Sequence, residues 1–178
     1  MVDQKGRPAR RVEVALFRGG EGLYLVLLRD PNVKGTWRGK VLLREPRFVY
    51  DMRKGLALGR RRAFGVELRP GEAKVFSLLP YDVRGLDISA PEEVERGGDL
   101  TVRVSLEATG DVTALHVVRL EFFDGSGKYL RPLTRKLLYP GEREATVRVA
   151  LNDAPGEWTI KALDVATGAR TTARFEVR

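Results

Sequence analysis

Two apolar runs that almost touch constrain this chain most. Ala73 to Leu79 is apolar and stops at Pro80, and Val83 to Ile88 begins a second run at once. Proline cannot donate to a sheet ladder, so Pro80 suits a strand end or a step from one sheet to the next. What lies on either side is therefore expected to be two separate β units joined by a short, stiff junction at Pro80 to Gly85. No stretch keeps helical apolar spacing without an interrupting glycine or proline, so little helix is expected. The expected fold is all-β, with two consecutive antiparallel β-sandwich domains over residues 1–82 and 83–178.

The second half shows the period of two most cleanly. Leu100, Val102, Val104 and Leu106 alternate with Thr101, Arg103, Ser105 and Glu107, and Ala145, Val147, Val149 and Leu151 alternate in the same way. Such strands keep one face in a core and one in water. Turn signals at Gly97-Gly98, Asp124 to Gly127, Pro140-Gly141, Pro155-Gly156 and Thr167-Gly168 leave room for seven strands, near 85–89, 99–108, 114–123, 130–139, 142–151, 157–164 and 170–177. Seven strands over this length is the count of an immunoglobulin-like sandwich.

In the first half, Arg11 to Arg18 and Leu23 to Arg29 flank Gly19-Gly20-Glu21-Gly22, which reads as a hairpin whose second strand is central in its sheet. Short strands are expected from Trp37 to Arg44, Arg47 to Asp51, Leu56 to Leu58, Arg60 to Leu68 and Ala73 to Leu79. Pro70-Gly71 supplies the turn before the last of them.

Charge separates the halves. Residues 1–82 hold 18 Lys and Arg against 9 Asp and Glu, a net of +9, whereas residues 83–178 hold 14 against 15, a net of −1. The basic first half implies an anionic partner or an acidic neighbour. Gln occurs once and Asn twice among 56 charged residues, a balance that fits a heat-adapted source. There is no cysteine, which removes disulfides and thiolate metal sites. His116 is the only histidine, so a multi-histidine metal centre cannot be built, and it shares a strand face with Val118, Leu120 and Phe122, as a core histidine would. No cofactor and no metal are expected.

Candidate binding residues are few. Trp37 beside Arg38 is either a sugar-stacking platform or a packed aromatic, whereas Trp158 after Pro155-Gly156 reads as core. Arg60, Arg61 and Arg62 form the densest charged cluster. In a regular strand Arg61 points away from Arg60 and Arg62, which then share a face with Phe64, Val66 and Leu68. These arginines are either an anion site or charges guarding an edge strand. Asp124-Gly-Ser-Gly-Lys128 lacks the acids and closing glutamate of a calcium loop and reads as a hairpin turn. No spacing of carboxylates singles out a catalytic pair; Asp51 and Glu92-Glu93 fall in expected turns. Catalysis is not expected.

Two resemblances add to this reading. Pro91 to Val104, Phe123 to Lys128, Leu138 to Glu142, and Asn152 to Ile160 with Asp164 to Gly168 resemble bacterial immunoglobulin-like or macroglobulin-type domains, a resemblance that implies fold and no activity. Tyr24 to Asp30, Val49 to Gly55, Leu58-Gly59 and Leu68 to Pro80 are similar to the C-terminal β domains of bacterial glycoside hydrolases of the β-galactosidase-like kind. The catalytic barrel of those proteins is missing, so no active site comes with the resemblance. It implies a non-catalytic accessory or scaffolding protein of carbohydrate-active secreted systems, with a polysaccharide or an acidic protein as partner. The alternatives are a self-assembling structural or surface protein, and an anion-binding module that uses the basic first domain. Nucleic acid and membrane are not expected partners. No signal peptide is read in this sequence, and an extracellular place would follow from a longer secreted chain.

Overall fold

The computed structural model describes all 178 residues and is built from strands, with one short 3-10 turn at Arg131–Leu133. The first domain is a single six-stranded antiparallel sheet. Its strands are β1 (Val2–Asp3), β2 (Val12–Gly19), β3 (Gly22–Arg29), β4 (Trp37–Asp51), β5 (Leu56–Leu68) and β6 (Ala73–Leu79). β3 is central, between β6 and the edge strand β2, as its double-sided apolar pattern predicts.

The long hairpin of β4 and β5 lets this sheet enclose a core. Four residues, Leu43 to Pro46, stand between the pairs Leu42–Ala63 and Arg47–Arg61, where β5 has only Arg62. Such a bulge bends its strand and sharpens the twist. The near half of β4 then pairs with β6, Val49 opposite Leu78, while the far half pairs with β1, and β5 follows both halves. The bend carries the far half back over β3 and β6. Phe64, opposite Val41 on the far half, packs edge-on against Phe76 of β6 with ring centroids 5.0 Å apart. Leu25, Leu27, Val66, Leu68 and Leu78 complete that core. Pro46 and Gly59 look like strand breakers in the sequence, so β4 and β5 read there as four short strands. In the fold Pro46 lies in the bulge, and Gly59 takes φ +76 beside the second register shift.

The second domain comprises β7 (Val83–Ser89), β8 (Glu93–Val94), β9 (Asp99–Ala108), β10 (His116–Phe123), β11 (Arg135–Tyr139), β12 (Glu144–Arg148), β13 (Gly156–Asp164) and β14 (Arg170–Val177). A three-stranded sheet, β12-β9-β7, faces a five-stranded sheet, β11-β10-β13-β14-β8, in an immunoglobulin-like sandwich. Glu93 stands not in a turn but in β8, which runs parallel to β14. Of the alternating residues named above, Leu100, Val102, Val104, Leu106, Val147 and Val149 fill the space between the sheets with Leu120, Phe122 and Ile160, whereas Leu151, expected on the same face, lies beyond the end of β12 and is 77% exposed. Trp158 lies at the centre, edge-on to Phe175 at 5.9 Å, and its Nε1 donates to the Ala154 carbonyl at 3.1 Å. At Asp124 the carboxylate closes its own turn, with Oδ1 accepting from Ser126 N, Ser126 Oγ and Lys128 N.

Candidate functional site

Buried polar groups gather where the domains meet. Leu79 ends β6 and Tyr81 follows Pro80; both sit in a small cluster with Tyr50 and Ala114. From the second domain, β10 begins with His116 and β13 ends with Asp164. Tyr81 Oη lies 2.9 Å from His116 Nε2, and His116 Nδ1 lies 3.0 Å from Asp164 Oδ2. Asp164 also accepts from Thr167 Oγ1 at 2.5 Å and from Ala166 N at 3.2 Å. With an ionised Asp164, which can only accept, Nδ1–H donates to the carboxylate, and the Nε2 of a neutral His116 accepts from the Tyr81 hydroxyl. Ala114 N donates to the Tyr81 oxygen at 3.1 Å.

Hydroxyl, imidazole and carboxylate stand here in the order of an acid–base relay. They are closed off from solvent: Tyr81 is 5% exposed and His116 and Asp164 are fully buried. The array satisfies polar groups that would otherwise be orphaned in the interface. His116 is thus a core histidine on the face of Val118, Leu120 and Phe122, with a polar partner at each nitrogen.

Further bonds cross the same seam. Ser77 Oγ donates to the Ala166 carbonyl at 2.6 Å, Tyr24 Oη donates to the Leu115 carbonyl, and Leu115 N donates to the Gly19 carbonyl at 3.0 Å. Tyr50 Oη donates to Asp82 at 2.7 Å and accepts from Val83 N at 2.8 Å, bracing the connecting segment. Burial pushes the Tyr81 hydroxyl up to about 12, and raises those of Tyr24 and Tyr50 as well. Gly55 and Gly168 meet backbone to backbone: a Cβ built on Gly168, at φ +84, would fall 2.3 Å from Gly55 Cα. Pro80 to Gly85 is accordingly a bonded joint rather than a free linker.

The residues singled out in the sequence lie in two places on the β4–β5 hairpin. At its open end Trp37 stands opposite Leu68 and Arg38 opposite Glu67. The expectation of Trp37 as an exposed platform is corrected: it is 9% exposed, with its ring against Gly39 and under the N-terminal segment. Arg38 Nε donates to Glu67 at 2.9 Å; this bond holds the glutamate below the usual carboxylate range and raises the arginine.

Arg60, Arg61 and Arg62 lie beyond the bulge, exposed and in no ion pair, on a strand whose outer edge has no partner. The bulge in β4 shifts the register, so that Arg61 stands opposite Arg47 and Arg60 opposite Phe48. Arg44, exposed in the bulge itself, belongs to the same basic surface and escaped sequence reasoning, since nothing there marked the bulge.

No protein-family model matches the chain, and no curated protein does. Among solved structures, the superoxide reductase (neelaredoxin) of Ignicoccus hospitalis is similar at 16% identity and a TM-score of 0.39, over 54% of this chain and 82% of that one. The three N-terminal domains of the highly immunogenic outer capsid protein of bacteriophage RB49 are similar at 13% identity and a TM-score of 0.34, over 95% of this chain and 59% of that one. A mutant of Salmonella alpha-2-macroglobulin is similar at 17% identity and a TM-score of 0.40, over 94% of this chain and 16% of that one.

Proposed function

We propose that this chain is a non-catalytic binding module in which two bonded β domains present the basic surface of the first to an acidic macromolecule. The observation that carries the reading is the set Arg44, Arg60, Arg61 and Arg62, all exposed and none neutralised by a carboxylate, on the half of the chain whose net charge is +9. Exposed guanidinium groups in no ion pair cost little to keep in water and bind anions readily; the one acid of the bulge, Glu45, is taken by Arg47. The resemblance to modules of carbohydrate-active proteins adds polysaccharide as a partner class. With Trp37 packed away, a polysaccharide would be held through its carboxylates rather than by stacking. The test is retention on immobilised polygalacturonate and polyglutamate across a salt gradient. Steep loss of retention with salt, and early elution of the triple variant Arg60→Ser/Arg61→Ser/Arg62→Ser, are expected. Retention that ignores salt would end the reading.

Self-assembly has its own support at the opposite edge of the sheet. Val14, Leu16 and Phe17 of the edge strand β2 are 53%, 57% and 59% exposed. Val14 and Leu16 stand opposite Leu27 and Leu25, on the face that forms the core, yet nothing covers them. An apolar edge with unpaired backbone groups is suited to pairing with a second copy. Light scattering on the eluting peak of a sizing column, over a hundredfold concentration range, separates the readings: a mass near 20 kDa throughout excludes assembly.

A further inference from the structure

The third basic place in the molecule is a groove of about 570 Å³ where the N-terminal segment crosses the end of the first domain. Residues 1–9 fold back on themselves, with Ala9 N donating to the Met1 carbonyl and β1 pairing with β4 over Gly39. The chain then turns at Arg11, the only non-glycine residue with positive φ, at +57. That turn is held from beneath by Arg29, the last residue of β3. Its Nη1 donates to the Arg10 carbonyl at 2.8 Å and to the Arg11 carbonyl at 3.1 Å.

Both bonds of Arg29 leave from one nitrogen. Its Nε is buried without a partner, although the residue is only 9% exposed. A guanidinium has five N–H donors, and the edge formed by Nε and Nη2 is the one that matches two oxygens of a carboxylate or phosphate side by side. Leaving the Nε–H of that edge buried and unpartnered is costly unless a ligand completes it.

The charge around that edge is unbalanced in a definite amount. The groove gathers Arg7, Arg10, Arg11 and Arg29. Arg7 is neutralised by Asp3 at 2.8 Å and Arg11 by Asp30 at 3.2 Å. Arg10 and Arg29 have no carboxylate, which leaves an excess of two positive charges beside the rim of Trp37. A group with two negative charges and oxygens spaced for a guanidinium fork fits this excess, and a phosphate monoester has both.

We propose that this groove is a binding site for a phosphoryl group, held by the Nε–Nη2 edge of Arg29 and by Arg10. The site shares with the proposed function only the positive charge of the first domain, and neither depends on the other. Because Arg29 also pins the turn at Arg11, binding tightens the N-terminal segment onto the sheet.

The test is calorimetric titration of the intact chain with inorganic phosphate at constant ionic strength set by chloride. Ribose 5-phosphate and succinate are run in parallel, and the two tryptophan indole N–H resonances are followed by NMR. Saturable binding of phosphate or the sugar phosphate is expected, with the Trp37 signal moving and that of Trp158 still. The first arm reports a free-phosphate site and the second a phosphorylated small molecule. Arg29→Lys, which keeps the charge but not the fork, is expected to weaken binding about tenfold or more. Arg10→Ala, exposed and free of structural bonds, decides the matter if the lysine variant does not fold, and is expected to weaken it several-fold. Binding of succinate alone, a response equal in both variants, or no saturable response overturns the site. The triple arginine variant of β5 retains phosphate binding, whereas Arg10→Ala retains polyanion binding, so the two readings fail separately.

Discussion

The two domains use the same kind of strand to different ends. In the second, two sheets close over a core of 17 buried residues, and the charges outside are nearly balanced. In the first, one sheet bends over a core of 10, leaves an apolar edge strand uncovered, and carries almost all of the excess charge. The comparison teaches a division of labour. The closed sandwich buries the larger core, whereas the bent sheet carries unpaired arginines, a charged groove and an open edge.

Substitution of the two tryptophans tests that division most severely. Trp158→Ala empties the centre of the larger core and should cost about 3–5 kcal/mol. Trp37→Ala, in the smaller core and beside the N-terminal groove, should cost less. Urea titration of both variants checks the order, and equal losses would break the comparison.

Asp164→Ala acts on the seam rather than on either core. It orphans His116 Nδ1, Thr167 Oγ1 and Ala166 N together. A loss of about 2–3 kcal/mol is expected. Calorimetry should also show one thermal transition separating into two, the signature of domains that no longer unfold together.

Tyr81→Phe should cost about 1 kcal/mol, and it sharpens the comparison through pH. The folded chain holds the Tyr81 proton up to about 12, while the ordinary value is 10.0. From that ordinary value upward the unfolded chain sheds a proton that the folded chain keeps, so stability falls as pH rises through this window. Removing the hydroxyl should flatten the fall, as chemical denaturation at several alkaline pH values would reveal. The smallest effect belongs to the edge: Leu16→Lys with Phe17→Lys should shift stability by no more than about 0.5 kcal/mol, while abolishing any concentration-dependent growth in mass.

Much of this architecture was legible from the period of two and from turn residues. Five strands of the second domain fall close to where the alternation puts them, while those expected over 130–139 and 142–151 are shorter, Arg135–Tyr139 after a 3-10 turn and Glu144–Arg148; the step from β6 to β7 lies at Pro80 as its missing N–H requires. The closure of the first domain was not legible, because Pro46 and Gly59 end strands in most settings and here lie at register shifts within two long ones. The sites divide in the same way. His116 was readable as core from its neighbours, but its partner Asp164 comes from the end of a strand 48 residues away. Arg29 carries no signal at all in sequence, since its importance arises when a charged N-terminal segment crosses it, a long-range event that no local pattern encodes.

The meeting of Gly55 with Gly168 bears on how such a chain can change over time. Two backbones in direct contact leave no side chain to shrink or turn aside, so the fit is all or nothing. A foreign sandwich grafted behind the first domain would need a glycine at the same height and a carbonyl placed for Ser77. The halves look like beads on a string in the sequence, but they cannot be traded as beads; lineage and engineering alike must treat the pair as one inherited piece.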